Sequence, residues 1–501
     1  MAKLVPDTLP VNGRLRALLI SVPIAFLLLF LAAATVWLAP EQRELILEWI
    51  QEYLPMFMFA TLGVLLFSGY PVAFVLGGTA LVFGFLGYLV GTFQLVEFFN
   101  FVPRIWGQAA ENLVLVSVPT FVFMGVMMER SGIAQDLLFC CQVLLRRVPG
   151  ALAISVTVMG TILAAMTGII GASVTMMTSL ALAPMLRQGY SHALATGCIA
   201  AAGTLGILIP PSIMLILFAD LLSVSVGTLF MAALGPGLLL AAIYLIGIGT
   251  TCTLKPNLGP PLPAGELDMP GGEKAGLFLK SFLPPAILIG MIKGSILFGW
   301  ATPSEAGAVG AFGAVVLAML KGRGGWGTLK DVANTSSLTI SMIFFIVISA
   351  TCFAYVFRAL GGDHVAEGLI QSAGLGTWGL TFLIMGLVFG LGFFLDWIEI
   401  TLIVLPVFGP MIAKMDFAGW VPQESVLIWF TVLLAVNLQT SFLTPPFGFA
   451  LFYLKGLAPP EVKIQSIYRG IMPFVIMQLI CLGLVILFPK IVLWLPGAVY
   501  D

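Results

Sequence analysis

The chain has 501 residues, of which only 9% are charged: 22 basic and 23 acidic side chains, for a net charge of −1. Soluble proteins carry about 25% charged residues, whereas 60% of this chain is hydrophobic and its mean hydropathy is +1.10. That excludes a soluble enzyme, a nucleic-acid binder and a disordered chain. What remains is a polytopic membrane protein whose helices cross about 30 Å of hydrocarbon. The six cysteines form no CxxC pair and read as small packing residues. The two histidines, His192 and His364, are far apart, so no His/Cys metal centre and no cofactor is expected.

The first apolar run is Ala17 to Leu38, preceded by Lys3, Arg14 and Arg16. It is longer than the about 7–15 residues of a signal-peptide core, so a retained helix is expected. From Glu41 to Tyr53, Leu45, Ile46, Trp49 and Ile50 share one face, and Glu41, Glu44, Glu48 and Glu52 lie mainly on the other. That pattern suits a helix lying in the membrane interface, or an amphipathic connector packed on protein. Crossings are expected at 54–68, 71–90 and 112–130, then a polar-edged segment at 132–148. Residues 149–188 are apolar around Thr167-Gly168-Ile169-Ile170-Gly171, and two glycines there favour a re-entrant hairpin over a straight span. The run 192–222 is interrupted by Gly203, Gly206 and the pair Pro210-Pro211. A crossing at 228–253 precedes a Pro- and Gly-rich loop, Lys255 to Gly276.

After that loop the order recurs. Crossings at 277–299, 302–320 and 334–357 lead to a polar-edged segment at 361–374. A second hairpin is expected at 376–412, with Gly390, Gly392 and Asp396 near its middle. The run 422–457 is interrupted by Pro445-Pro446, and 467–489 crosses last. Pro71 parallels Pro303, Pro184 parallels Pro406, and Pro210-Pro211 parallels Pro445-Pro446, at offsets of 232, 222 and 235. The chain therefore divides into an N-terminal extension (1–53), a first repeat (54–254), a cytoplasmic linker (255–276), a second repeat (277–490) and a tail (491–501). With the N-terminus inside, 16 of the 22 basic residues fall on the cytoplasmic side. The second repeat then runs opposite to the first, and the C-terminus is periplasmic. The expected fold is all-α: two inverted-topology repeats, each with a re-entrant hairpin and a Pro-Pro-broken transmembrane helix, a transporter architecture.

The breaks carry the chemistry. A proline has no N–H to return to the carbonyl four residues earlier. Pro210 and Pro211 thus release the carbonyls of Gly206 and Ile207; Pro445 and Pro446 release those of Ser441 and Phe442. Such groups at membrane depth need a partner, and Na⁺ with oxygen ligands can supply it. Thr204 lies near the first break, and Asn437, Thr440, Ser441 and Thr444 near the second. The hairpin tips add Thr167, Gly168, Gly171, Ser173 and Thr175 in the first, and Gly390, Gly392 and Asp396 in the second. The half-helices that follow each break aim positive N-terminal ends at the same depth, where an anion is stabilised. The competing structural reading is that the prolines merely kink packed helices. Asp396 suits cation ligation or helix capping ahead of proton transport, Glu305 a helix N-terminal role, and Arg358 an outer-face contact ahead of bidentate carboxylate binding.

At these residues the sequence resembles a known family. AAAGTLGILIPPSIMLILFAD (200–220), GWATPSEAGAVGA (299–311) and NLQTSFLTPPFGFALFYLKG (437–456) are similar to signature stretches of the large membrane subunit of TRAP (tripartite ATP-independent periplasmic) transporters. The resemblance covers about residues 54 to 490. It implies an elevator-type transporter of the ion transporter superfamily, in the bacterial inner membrane, driven by Na⁺ and importing organic anions. Implied partners are a small four-helix membrane subunit and a periplasmic substrate-binding protein. The first hairpin, TGIIGASVTMMTSLALAPM, departs from the Ser/Ala/Asp-rich tip of many members, and with the extra N-terminal helix it resembles the branch labelled mannitol/chloroaromatic. Alternatives are a self-sufficient Na⁺/anion symporter of the divalent-anion type and, more remotely, an integral membrane enzyme. The absence of arginine near the tips and breaks points to a small organic acid, a mono- or dicarboxylate, as cargo.

Overall fold

A computed structural model describes residues 40–67, 69–167, 170–261, 269–372, 374–445 and 448–500. The apolar run Ala17 to Leu38 lies outside the described residues, as do Gly168 and Pro446. Within them the regular structure is helical, as backbone in hydrocarbon requires: a helix satisfies its own N–H and C=O groups. Nine helices among the described residues are long and apolar enough to cross a membrane.

The contacts divide the chain into two units. The first holds the described residues up to Asn112 together with Met342–Leu380. It begins with α1 (Pro40–Leu66) and α2 (Val72–Val90). Here the reading of Glu41 to Tyr53 as an element separate from a crossing at 54–68 is corrected, because α1 is one 27-residue helix with Pro55 inside it. Ile50, Leu54, Met58 and Leu62 explain why. They recur every four residues across the supposed boundary and are all at most 1% exposed. Leu45 and Trp49, expected on the same face as Ile50, are 70% and 49% exposed. The two helices are stitched where Gln51 Nε2 donates to the Val90 carbonyl at 2.5 Å. A short helical connector, Leu95 to Ala110, follows and was not foreseen. It is anchored by Tyr355, whose hydroxyl donates to Glu97 (3.2 Å) and accepts from Asn100 (2.8 Å), and whose ring carries the Arg104 guanidinium at 4.7 Å.

The second unit spans Leu113–Ser341 and continues from Thr381 to the C-terminal end. Its first helices are α3 (Ser117–Arg130), α4 (Ile133–Leu145), α5 (Ala151–Thr167), α6 (Ile170–Arg187), α7 (His192–Thr204), α8 (Ile213–Leu221) and α9 (Val226–Leu254). Next come α10 (Gly271–Leu297), α11 (Pro303–Leu320) and α12 (Trp326–Ala359), the last contributing its first half here. The first unit's α13 (Gly362–Ser372) precedes α14 (Thr377–Leu391) and α15 (Trp397–Ala413). The chain closes with α16 (Val426–Leu443), α17 (Phe449–Leu457), α18 (Ile464–Leu487) and α19 (Lys490–Tyr500). Three expectations change. The crossing at 112–130 is a 14-residue helix, α3, about 21 Å long at 1.5 Å per residue. The expected tail is helical from Lys490 to Tyr500 and packs on α9, with Val492 fully buried. The linker at 255–276 is partly structured: the carbonyls of Leu258, Gly259 and Pro260 accept from Ser191, Gly150 and Gln188 at 3.0–3.1 Å, and α10 starts at Gly271.

Burial is densest around α7, where every residue from Ala195 to Thr204 is buried. Two glycines make this possible. A Cβ on Gly197 would strike the Gly470 carbonyl, and one on Gly470 would strike the Ala193 carbonyl. The backbones of α7 and α18 are thus in direct contact. At the surface end, Thr302 and Glu305 form a capping box that starts α11, the Glu305 carboxylate accepting from Thr302 N at 2.8 Å. Gly470→Ala should therefore lower stability by about 1–3 kcal/mol through overpacking. Gly290→Ala, where a Cβ meets nothing within 4 Å, should leave the thermal unfolding midpoint in detergent unchanged or raise it. Equal midpoints for the two variants would contradict the close approach.

Candidate functional site

The first break is tightly built. α7 ends at Thr204, a 3₁₀ turn covers Leu205–Ile207, and α8 begins at Ile213 after the cis Pro210-Pro211 bond. Pro210 has no N–H for the Gly206 carbonyl, and the Ile209 N–H is engaged with the Leu205 carbonyl at 3.1 Å. The Ile207 carbonyl, expected to be released, is instead taken by the Ser212 hydroxyl at 2.7 Å. Ser212 also caps α8 by accepting from Leu215 N. One serine thus closes the break on its far side. The Thr204 hydroxyl donates to the Ala201 carbonyl at 3.0 Å, and a Cβ on Gly203 would collide with Val174 of α6.

The second break is similar in plan and different in detail. α16 ends at Leu443, Thr444 is extended, and α17 starts after Gly448, whose φ is +55°. The Ser441 carbonyl, also expected to be released, accepts from Thr444 N at 3.1 Å. The hydroxyls of Thr440, Ser441 and Thr444 donate to the carbonyls of Val436, Leu438 and Thr440, each at 2.8 Å. With the proton engaged on the helix, each hydroxyl oxygen keeps lone pairs for an electropositive partner. Asn437 is a strut: its Nδ2 donates to the Met385 carbonyl of α14 at 2.8 Å.

The hairpins reach across to the opposite halves. α5 and α6 form the first; Thr167 ends α5, and its side chain lies outside the described residues. α14 and α15 form the second. α6 packs on α17, and α15 packs on α8, so each hairpin lies against the half-helix that follows the other half's break. A Cβ on Gly171 would strike the Tyr453 ring of α17, and one on Gly392 would strike the Ser441 side chain. Ser173 is buried and Thr175 half-buried on α6. Gly390 faces open space. Asp396 caps α15, accepting from Trp397 N at 2.8 Å, while the Glu399 carboxylate accepts from Asp396 N at 3.2 Å. Of the other charged residues, Glu305 serves the cap of α11, and Arg358 pairs with Asp363 at 3.8 Å.

Two features escaped sequence reasoning. Tyr453 packs on Gly171 at one tip and lies within electrostatic range of Asp396 and Glu399 at the other. It is 40% exposed. Its only sequence signal was its place one turn after Phe449 in the half-helix. Gln439 is fully buried, and its Nε2 donates to Thr204 Oγ1 at 3.4 Å, directly joining the two broken helices. The two residues are 235 positions apart, the interval from Pro210 to Pro445.

Comparison with known proteins agrees with this architecture. A "C4-dicarboxylate TRAP transporter large permease protein" of Pseudomonas aeruginosa is 29% identical over 392 residues, covering 78% of this chain and 88% of that protein. An "ectoine/5-hydroxyectoine TRAP transporter large permease protein" of Ruegeria pomeroyi is 28% identical, covering 89% and 99%. The crystal structure of the YdaH transporter of Alcanivorax borkumensis shares the fold, with a TM-score of 0.55 at 13% identity over 80% of this chain and 89% of that one. The two permease relatives are named as transporter components, not enzymes. The family model described as "Tripartite ATP-independent periplasmic transporter, DctM component" matches residues 59–491, and the chain belongs to that family of secondary-transporter membrane subunits.

Proposed function

We propose that this chain is the transport subunit for Na⁺-coupled import of a small carboxylate, handed over by a periplasmic substrate-binding protein. The observation that carries this reading is the crosswise contact of two broken helices with two hairpins. Gly171 of the first hairpin meets Tyr453 beyond the second break, and within the second half Gly392 of the hairpin meets Ser441 at the break. The hydroxyl oxygens of Thr440, Ser441 and Thr444, with the carbonyl of Gly206 at the other break, suit a small hard cation. The membrane partner in this reading is a small four-helix subunit. Import proceeds by an elevator-type displacement of the helices that bear the breaks.

The anion belongs beside α17. Asp396 already caps α15 and Ser212 caps α8, whereas α17 starts from Gly448 without a side-chain cap. Its N-terminal amides are thus the least engaged of the three, and such an end stabilises a carboxylate by about 0.3–2 kcal/mol depending on burial. Tyr453, one turn further along, offers a hydroxyl. Asp396 and Glu399 lie within electrostatic range of that hydroxyl, and a Na⁺ bound alongside would favour a carboxylate there. The family relatives' names cite cargoes as different as a C4-dicarboxylate and ectoine, so this local chemistry, rather than kinship, favours a small mono- or dicarboxylate.

In proteoliposomes containing all partners, uptake should follow an inward Na⁺ gradient and stop without it. Asn437→Ala, which frees the second hairpin from its strut, and Thr444→Ala should each raise the Na⁺ concentration for half-maximal uptake. Full uptake on a proton gradient in Na⁺-free buffer would sink the coupling.

Orientation is tested separately. The six native cysteines are buried, so an impermeant maleimide should read introduced thiols. Gly368→Cys should react in intact cells and Gly272→Cys only after lysis; the reverse pattern contradicts an N-terminus inside and a cytoplasmic linker.

For the cargo, the partner binding protein should be stabilised in thermal shift by one or more small carboxylates. A response to polyols alone would refute the carboxylate assignment.

A further inference from the structure

Four side chains meet in the second unit, each 0% exposed: Thr204 on α7, Tyr244 on α9, Gln439 on α16 and Gln478 on α18. Gln439 Nε2 donates to Thr204 Oγ1 at 3.4 Å, and Gln478 Nε2 donates to the Gln439 backbone carbonyl at 3.5 Å. The Tyr244 hydroxyl faces both carboxamides, and its ring is held edge-on by Phe474 at 5.3 Å. Tyr244 Oη, Gln439 Oε1 and Gln478 Oε1 are buried and unpartnered among the described residues.

The positions of these residues in the chain are as informative as their contacts. Thr204 and Gln439 are separated by 235 residues, and Tyr244 and Gln478 by 234 (478 − 244). The interval between the two Pro-Pro pairs is 235. Thr204 and Gln439, on the helices that break, keep that interval, and Tyr244 and Gln478, on the helices that follow, fall one position short of it. Equivalent residues can touch only where the axis relating two halves passes between them. Under the inverted-repeat reading the axis relating the halves passes through the Thr204–Gln439 contact, which joins the two broken helices.

The hydrogen-bond inventory offers this hub alternative pairings. Each carboxamide already uses an N–H, which leaves two acceptor oxygens, Gln439 Oε1 and Gln478 Oε1. Tyrosine has one proton to give. Given to Gln439 or to Gln478, that proton makes two arrangements with the same number of hydrogen bonds and different acceptors. Gln439 lies between Asn437 and Thr440, and Thr204 lies two residues before Gly206. The choice of acceptor therefore sets the pose of Gln439 and, through it, of Thr204. A two-state element biased by both sites is the physical requirement for coupling between them.

We propose that the quartet Thr204–Gln439–Gln478–Tyr244 is a coupling switch, with Tyr244 and Gln478 as positioning residues. A cation at one break favours the arrangement that preorganises the other. This rests on the reading of the breaks as Na⁺ sites and adds cooperativity between them.

The test is initial uptake in proteoliposomes against external Na⁺, with thermal unfolding of the same proteins. Tyr244→Phe keeps the ring and its contact with Phe474 and removes only the proton. Wild type should give a Hill coefficient above one. Tyr244→Phe should bring it to one and raise half-maximal Na⁺ about fivefold or more, with uptake at saturating Na⁺ retained. Gln478→Met, similar in shape, should do the same, so the test survives if one variant fails to fold. A Na⁺-dependent wild type with a Hill coefficient of one, or folded variants with wild-type cooperativity, would overturn the switch. Uptake independent of Na⁺ would instead overturn the coupling reading beneath it.

Discussion

A backbone polar group in hydrocarbon must find its partner within the protein. At Pro210-Pro211 and at Pro445 the helices give up that self-sufficiency, and the surrounding structure answers it. Ser212 closes the far side of the first break on the Ile207 carbonyl. At the second break, Thr444 folds back on Ser441 and Thr440 through its N–H and its hydroxyl. Leaving one such buried group unmet costs about 1–3 kcal/mol, so these repairs are part of what permits a helix to break at membrane depth. What they leave are hydroxyl oxygens with unused lone pairs and a Gly206 carbonyl that Pro210 cannot serve.

Each hairpin packs on the half-helix beyond the other half's break. α6 lies against α17 and α15 against α8, so each half of the chain builds part of the other's neighbourhood. Glycine makes the approaches close: a methyl on Gly171 would strike Tyr453 across the halves, and within each half one on Gly203 or Gly392 would strike Val174 or Ser441. The acids at the second tip are engaged in a capping box, which fixes the start of α15.

Much of this was legible in the sequence because its causes are local. A proline pair inside an apolar run removes named N–H groups, and paired glycines in a run of about 40 residues favour a turn. The Ser-x-x-Glu-like patterns at Thr302 and Asp396 carry their caps within four residues. Other features depend on distant neighbours. Nothing near Gln439 says that its amide meets Thr204, 235 positions away. The Ile207 carbonyl looked free because a proline census counts lost donors and overlooks a serine hydroxyl that replaces one. The charged faces of Glu41 to Tyr53 suggested a separate element, yet the buried stripe from Ile50 to Leu62 continues through it. The connector at Leu95 to Ala110 lacks a clear period and is anchored by Tyr355, more than 240 positions on.

The central claim is that the broken helices and hairpins together hold Na⁺. Equilibrium binding of radiolabelled sodium to the purified protein, immobilised and without cargo, tests it most directly. The account predicts saturable binding displaced by unlabelled Na⁺ but not by K⁺, and weakened when Gly392→Val drives a side chain against Ser441. Absence of saturable binding, or binding in a folded Gly392→Val protein equal to that of wild type, would contradict it.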